Sequence, residues 1–337
     1  MEAYFCPLPQ CGPARPEGAV TLAGGWSWFT HLEVLLRNAP ARVVPVDEAP
    51  ASVIEALTAP RAGIAGLDFS KPVVMGILNV TPDSFSDGGK HHGLDAALAG
   101  AGAMAAAHVL DIGGESTRPG ARLVPEHEEI ARTAPVIEAL RKAGVQTPIS
   151  IDTRKATVAE AALDAGATLV NDVSGFTFDP DLAALCARRG VPVCVMHAQG
   201  DPTTMQNDPR YNNVLLDVYD FLADRIAWLV AQGIPRDQII ADPGIGFGKT
   251  LEHNLALLSR LSLFHGLGVP VLLGASRKRF IGTLAGVEDA AARMPGSVAV
   301  ALAALKHGTQ IVRVHDVPET VQAIALWRAT MAGHGHG

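Results

Sequence analysis

Certain residue types in this chain fall at the ends of short apolar runs, and those types define a chemistry before any fold is assigned. Asp111, Asp152 and Asp242, with the amide of Asn171, are acceptors suited to a ring carrying several N–H donors. A carboxylate that accepts two parallel N–H bonds matches the amino-keto edge of a pterin or a purine. Thr117, Arg118, Ser276, Arg313 and His315 are hydroxyls and cations, which suit phosphate or carboxylate oxygens. Asn79 closes its apolar run with an amide oxygen, a donor that Mg²⁺ accepts while it bridges substrate phosphates. No His/Cys group has the spacing of a zinc site. The composite ligand is a heterocycle bearing a diphosphate, together with a second, anionic substrate.

The elements that must position these groups alternate regularly. Apolar, β-branched runs lie at 73–80, 109–113, 149–152, 169–173, 191–196, 239–241, 269–273 and 311–314. Ala-rich amphipathic segments lie between and after them, at 94–107, 126–143, 157–165, 180–189, 215–232, 251–261, 297–306 and 318–331. Eight strand–helix units over residues 71–332 match an α/β chain folded as a (β/α)8 TIM barrel, whose active site sits at the carboxyl ends of the strands. An open doubly wound sheet also alternates, but no G-x-G-x-x-G opens a helix after an early strand. Each polar end has a bland reading when taken singly. Asp152 or Asp172 could cap the next helix, Arg277 and Lys278 could be solvated, and His197 could be a core histidine. Capping does not account for a polar or glycine-bearing end on all eight runs.

Residues 1–70 form a separate compositional zone, punctuated by seven prolines between Pro7 and Pro50. It reads as an N-terminal appendage of unknown role. Its ordered pieces are expected at 26–37, where apolar residues recur at near-helical spacing, at 41–46 and at 53–57. Residues 333–337 read as a tail. The net charge of −7 has no basic block, so nucleic acid and anionic membrane surfaces are not expected partners. The four cysteines, Cys6, Cys11, Cys186 and Cys194, have no metal-ligand spacing and read as free thiols of a reducing cytoplasm. No start resembles a secretory leader, and no apolar run approaches the ~20 residues that span a bilayer. The expected location is cytoplasmic.

Two long stretches carry a resemblance. Gly76-Ile77-Leu78-Asn79-Val80-Thr81-Pro82-Asp83-Ser84-Phe85-Ser86-Asp87-Gly88-Gly89 and Asp111-Ile112-Gly113-Gly114-Glu115-Ser116-Thr117-Arg118-Pro119-Gly120 resemble the two signature motifs of the dihydropteroate synthase family. Ser150-Ile151-Asp152-Thr153, Asn171-Asp172-Val173-Ser174-Gly175, Met196-His197, the segment 242–249, Ser276-Arg277-Lys278 and Arg313-Val314-His315-Asp316 follow in matching order. The resemblance implies a (β/α)8 enzyme of folate biosynthesis. It would condense 6-hydroxymethyl-7,8-dihydropterin diphosphate with p-aminobenzoate, with the help of Mg²⁺, and would act as a homodimer. By matching position, Asp111, Asp152, Asn171, Asp242 and Lys278 would hold the pterin. Met196 and Phe247 would wall its pocket, and Arg313 would pack over its face. Asn79 would ligate Mg²⁺ and, with Arg118, Arg313 and His315, bind the diphosphate. Thr117, Arg118, Pro119 and Ser276 would shape the p-aminobenzoate pocket, where sulfonamides compete in this family. Asp152, Lys278 and Arg313 would act at the reacting centre.

A corrinoid-type pterin methyltransferase is similar to this barrel but needs neither the Asn79 loop nor the Arg118, Arg313 and His315 anion site. A catalytically silent barrel would lack one of Asn79, Arg118, Asp152 and Lys278. A phosphate-binding isomerase barrel would carry a Gly-rich loop near strands seven and eight, where Ser276-Arg277-Lys278 stands instead. The polar segments 81–92 and 116–125 are expected to be lids, mobile without ligand, that keep water from a reactive cation.

Overall fold

The computed structural model describes residues 3–80, 89–116, 121–200 and 204–333. The expected lids fall largely on 81–88 and 117–120, outside the described residues, as do Thr117, Arg118, Pro119 and the last residues of the tail. The chain opens with strands β1 (Tyr4–Pro7), β2 (Val20–Thr21), β3 (Trp28–Phe29), β4 (His31–Leu36) and β5 (Ala39–Pro45), then helix α1 (Ala51–Thr58). The barrel strands follow as β6 (Val73–Asn79), β7 (Val109–Gly113), β8 (Ile149–Asp152), β9 (Leu169–Asp172), β10 (Val193–Met196), β11 (Ile239–Asp242), β12 (Leu272–Leu273) and β13 (Ile311–Val314). Between and after them run α2 (Gly89–Ala103), α3 (Glu126–Lys142), α4 (Ala156–Asp164), α5 (Asp181–Arg189), α6 (Val214–Ala231), α7 (Leu251–Leu258), α8 (Arg279–Ala285), α9 (Met294–Lys306) and α10 (Val317–Ala332).

The eight strands from β6 onward form one parallel sheet, ordered β11-β10-β9-β8-β7-β6-β13-β12. A parallel bridge between Ala241 and Val271 joins the two outer strands and closes the ring. The fold is the expected TIM barrel. Alternation along each strand sorts its side chains into two sets. One set, including Val74, Leu110, Ile112, Ile149 and Ile151, packs outward in the cluster that also contains the helices. The other points into the barrel. Its lower part is apolar, with Val73, Met75, Val109, Leu169, Cys194, Ile240, Leu272 and Ile311 in one cluster. Ile64, Leu67 and Phe69 join that cluster and plug the amino-terminal end of the barrel. The plug carries a direct expectation. Phe69→Ala should destabilise the fold by about 3–5 kcal/mol, because the ring is almost fully buried and the void it leaves has stiff strands around it. A urea midpoint that stays at the parent value would reject the plug.

The N-terminal zone departs from the expectation in one place. Residues 26–37 are not helical: they form β3 and β4, and β4 pairs antiparallel with β1 and with β5. The physical reason is burial on both faces of β4. Leu32 and Val34 belong to the core of the N-terminal unit, whereas Leu35, with Tyr4 and Cys6, packs against the barrel. Apolar residues on both faces of a strand imitate helical spacing. Ser262 donates to the Pro7 carbonyl at 2.7 Å, Arg260 Nε pairs with Glu33 at 2.7 Å and Trp26 Nε1 donates to the Leu305 carbonyl at 2.7 Å.

Candidate active site

The upper half of the barrel interior is polar, and strand register sets its membership. Asn79 is the cross-strand partner of Gly113, Gly113 of Asp152, and Asp152 of Asn171. Partners in register project to the same face of a sheet, so Asn79, Asp152 and Asn171 all point inward. A Cβ built on Gly113 would lie 3.7 Å from both Asn79 Oδ1 and Asp152 Oδ2. One built on Gly274 would lie 3.6 Å from Asp242 Oδ2 and 3.9 Å from Arg313 Cδ. Glycines at these two strand ends therefore keep the cup open. The strand tips converge on one cup.

Arg313 links its walls. Its Nε pairs with Asp111 Oδ2 at 2.5 Å and its Nη2 with Asp152 Oδ2 at 2.7 Å. Asn171 Nδ2 donates to the same Asp111 oxygen at 3.3 Å. Asp111 is completely buried, yet among the described residues its Oδ1 has no hydrogen-bond partner, and neither has the neighbouring Ser150 Oγ. Orphaned buried acceptors are rare and call for a donor from elsewhere. Burial raises the Asp152 carboxyl above the ordinary carboxylate range; Arg313 opposes that, and the carboxylates of Asp111 and Glu129 add to it. Asp242 is raised by burial as well, and its Oδ1 accepts the Gly244 N–H at 2.7 Å. Lys278 Nζ hydrogen-bonds to the Ile245 carbonyl and stands 4.5 Å from the centre of the Phe247 ring. Burial pushes its pKa down to about 8.

Local backbone features aim these groups. Arg277 has φ of 59°, a left-handed conformation that costs a residue with a Cβ roughly 1–2 kcal/mol. The turn is held because Arg277 N–H donates to Ser297 Oγ at 2.8 Å, Arg293 donates to the Arg277 carbonyl at 3.0 Å, and the Arg277 guanidinium pairs with Asp316. On either side of it stand Ser276, whose Oγ lies 3.0 Å from His315 Nδ1, and Lys278. Gly244 needs its glycine: φ is +68°, and a Cβ would sit 1.9 Å from the His197 carbonyl.

Of the bland readings only the one for His197 holds as stated; Asp172 and Arg277 serve local turns, neither capping the next helix nor standing as a solvated charge. Asp172 points away from the cup and its carboxylate accepts the N–H groups of Ser174 and Phe176. Arg277 is an ion-paired turn residue. His197 is a buried core histidine, 2.8 Å from Lys249 Nζ, and its pKa is pushed down to about 2 by burial and by that neighbouring cation. One group escaped the strand-end reading altogether. Glu115, Glu129, Arg154 and Lys155 form a buried ion-pair network beside the cup. The available sign was two basic residues directly after Thr153 and an acid inside Gly113-Gly114-Glu115-Ser116.

Comparison with known proteins agrees with this geometry. The profile of the family described as "Pterin binding enzyme" matches residues 75–315. The dihydropteroate synthase of Escherichia coli strain K12 is 46% identical over 268 residues, which are 79% of this chain and 94% of that protein. This chain belongs to the dihydropteroate synthase family. Among solved structures it resembles the Xanthomonas albilineans dihydropteroate synthase with 4-aminobenzoic acid, at 46% identity and a TM-score of 0.75, covering 81% of this chain and 98% of that one. The same enzyme in complex with 7,8-dihydropteroate matches with a TM-score of 0.71 at 41% identity, covering 81% of this chain and 99% of that one. The pterin-binding profile starts at residue 75, so β1 to α1 lie outside the residues it matches.

Proposed function

We propose that this protein condenses 6-hydroxymethyl-7,8-dihydropterin diphosphate with p-aminobenzoate, forming 7,8-dihydropteroate and diphosphate in the cytoplasm. The observation that supports it most is the acceptor-rich floor of the cup, where Asp111 Oδ1 has no partner among the described residues and Asp152, Asn171 and Asp242 stand within the same ring of strands. A pterin edge supplies the N–H donors such a floor lacks. Met196 and Phe247 would wall the ring and Lys278 would donate to its carbonyl. His315 and Ser276, already hydrogen-bonded to each other, would face the diphosphate and the arylamine respectively.

The residues favour early departure of the leaving group. An aniline nitrogen is a weak nucleophile, so the pterin C–O bond breaks ahead of C–N bond formation. The electron pair of that bond leaves with diphosphate, and the carboxylates of Asp111 and Asp152 stabilise the positive charge left on the pterin methylene. The arylamine nitrogen then donates its lone pair to that carbon and loses a proton, which leaves with the diphosphate. Arg313 holds the two carboxylates in place, and with Arg118 and His315 it would receive the departing anion.

Mg²⁺ fits the donor set. Asn79 contributes one hard oxygen at the rim, next to Asp152, and among the described residues no group of three or more His, Cys, Asp or Glu forms a dedicated metal cage. That pattern suits an ion held mainly by substrate phosphates. When bound, Mg²⁺ would neutralise part of the charge on the leaving diphosphate. Asn79→Ala should raise the Mg²⁺ concentration needed for half-maximal rate by about tenfold or more. Titration of the metal against initial rate checks this, and an unchanged midpoint would remove Asn79 from the metal site.

The decisive assay is diphosphate release from dihydropterin diphosphate with and without p-aminobenzoate. Release must depend on the arylamine and on Mg²⁺, and dihydropteroate must form in equal amount. The pH profile of kcat/KM for the pterin substrate should be bell-shaped. Its acid limb lies well above the ordinary carboxylate range, since raised Asp152 must be ionised to accept N–H bonds. Its alkaline limb lies near about pH 8, where Lys278 loses its charge. Lys278→Arg should carry the alkaline limb upward; a limb that stays put would exonerate Lys278.

The same reading takes residues 1–70 as a packing appendage and the active species as a homodimer. No helix among the described residues is long and apolar enough to cross a membrane.

A further inference from the structure

Three glycines in the connection between β11 and α7, Gly244, Gly246 and Gly248, have positive φ, so this stretch does little to fix its own path. Side chains from other segments hold it. Four consecutive carbonyls are each taken by a different donor: Ile245 by Lys278 Nζ, Gly246 by Gln206 Nε2 at 2.6 Å, Phe247 by Lys249 Nζ at 3.0 Å and Gly248 by Tyr211 Oη at 2.8 Å. What the connection presents is the half-buried ring of Phe247, against the Lys278 ammonium.

Lys249 is the costly member. It is 3% exposed, and among the described residues its hydrogen-bond partners are neutral: His197 Nδ1 at 2.8 Å, the His197 carbonyl at 3.4 Å and the Phe247 carbonyl. Burial pushes its pKa down, and Asp242 opposes that. A buried ammonium without a paired carboxylate is expensive, and an apolar side chain of like volume often serves stability as well or better. Stability alone is a poor reason for it. Its bonds tie the end of β10 to Phe247, and His197 is itself packed edge-on against the Phe221 ring, centres 4.8 Å apart. Tyr211 adds a second anchor, its ring edge-on to His253 at 4.9 Å. At the other end Gly244 N–H donates to Asp242, so one held connection carries both Asp242 and Phe247.

We propose that Lys249, acting with Tyr211, is a positioning residue for the pterin: through the Phe247 and Gly248 carbonyls they hold the Phe247 ring at the wall of the cup where the heterocycle lies. This rests on the pterin assignment given under the proposed function. In that reaction neither side chain meets the reacting atoms, so their removal should weaken binding of the heterocycle and leave the chemical step nearly intact.

Two conservative variants test it. Tyr211→Phe removes one hydroxyl and keeps the ring; Lys249→Met keeps the stem and removes the ammonium. Each should raise the dissociation constant for dihydropterin diphosphate, measured by calorimetry, by about three- to tenfold, the contribution of one well-placed aromatic contact. The kcat should stay within about threefold of the parent. In a Phe247→Ala background the same substitutions should add less than about twofold, because the ring they position is gone. Fully additive losses would mean general destabilisation and overturn the proposal, as would an unmoved dissociation constant or a loss confined to kcat. A second readout needs no ligand. The Phe247 N–H donates to the Gly244 carbonyl at 3.2 Å. Its hydrogen exchange should quicken by about tenfold or more in Lys249→Met, and unchanged exchange overturns the proposal. Should the unaltered chain bind no dihydropterin diphosphate, the functional reading falls instead, and the Phe247 exchange still judges the clamp.

Discussion

Replacing Asp242 by Ala is expected to lower kcat/KM for the pterin diphosphate by about 10²- to 10³-fold, with most of the loss in KM. Asp242 is buried at the tip of β11, with Arg313 and Lys278 as its cationic neighbours. Truncating one partner of a buried, charge-assisted hydrogen bond costs about 2–5 kcal/mol, and each 1.4 kcal/mol is about tenfold. In the reaction proposed above the carboxylate serves the ring edge and not the leaving group, so the defect should appear in substrate affinity. Calorimetry with the pterin diphosphate, set beside steady-state kinetics, measures both parts. A variant that binds the pterin normally and loses only kcat would place Asp242 elsewhere in the reaction.

Arg313→Met should have the opposite signature and a larger one. The guanidinium joins Asp111 and Asp152, and removing it leaves two buried carboxylates facing each other without a counter-charge. Breaking a buried pair in this way costs about 3–5 kcal/mol of stability, which urea unfolding would register. The rate should fall by about 10³-fold or more, because in the proposed reaction the same substitution removes a cation from the diphosphate's path and misaligns the carboxylates that would face the pterin cation. A double-mutant cycle with Asp111→Asn tests the coupling. Strictly additive losses would mean that Arg313 and Asp111 act independently, against the linked geometry described here.

Much of this was legible from residue order alone. The eight apolar runs coincide with the eight barrel strands, because a strand buried on both faces needs an unbroken apolar sequence and little else. Boundaries moved by a few residues. The run at 269–273 narrows to Leu272–Leu273, with Val271 outside the strand but bridged to Ala241. The short helix Arg279–Ala285 went unrecognised in a stretch with few apolar repeats. The error at 26–37 has a different origin. Spacing reports which residues are apolar, not how many partners they meet, and β4 meets two. The same limit explains the plug: Ile64, Leu67 and Phe69 look like part of an appendage by composition, yet they complete the interior of the barrel.

The sequence by itself determined the barrel, the family and the inventory of polar strand ends, because alternation and motif spacing are properties of the chain order. Only the tertiary structure decided which of those ends share a cavity and which do not. Asp111 and Asp172 each lie within an apolar run, but register turns the first inward to Arg313 and the second outward to the Phe176 turn. The buried network around Lys155 had only a faint sign in the sequence, since its members come from three separate segments and are ordinary surface residue types until folding removes their water. One residue along a strand reverses the face a side chain occupies. That parity is set by pairing across the barrel, and no single segment contains it.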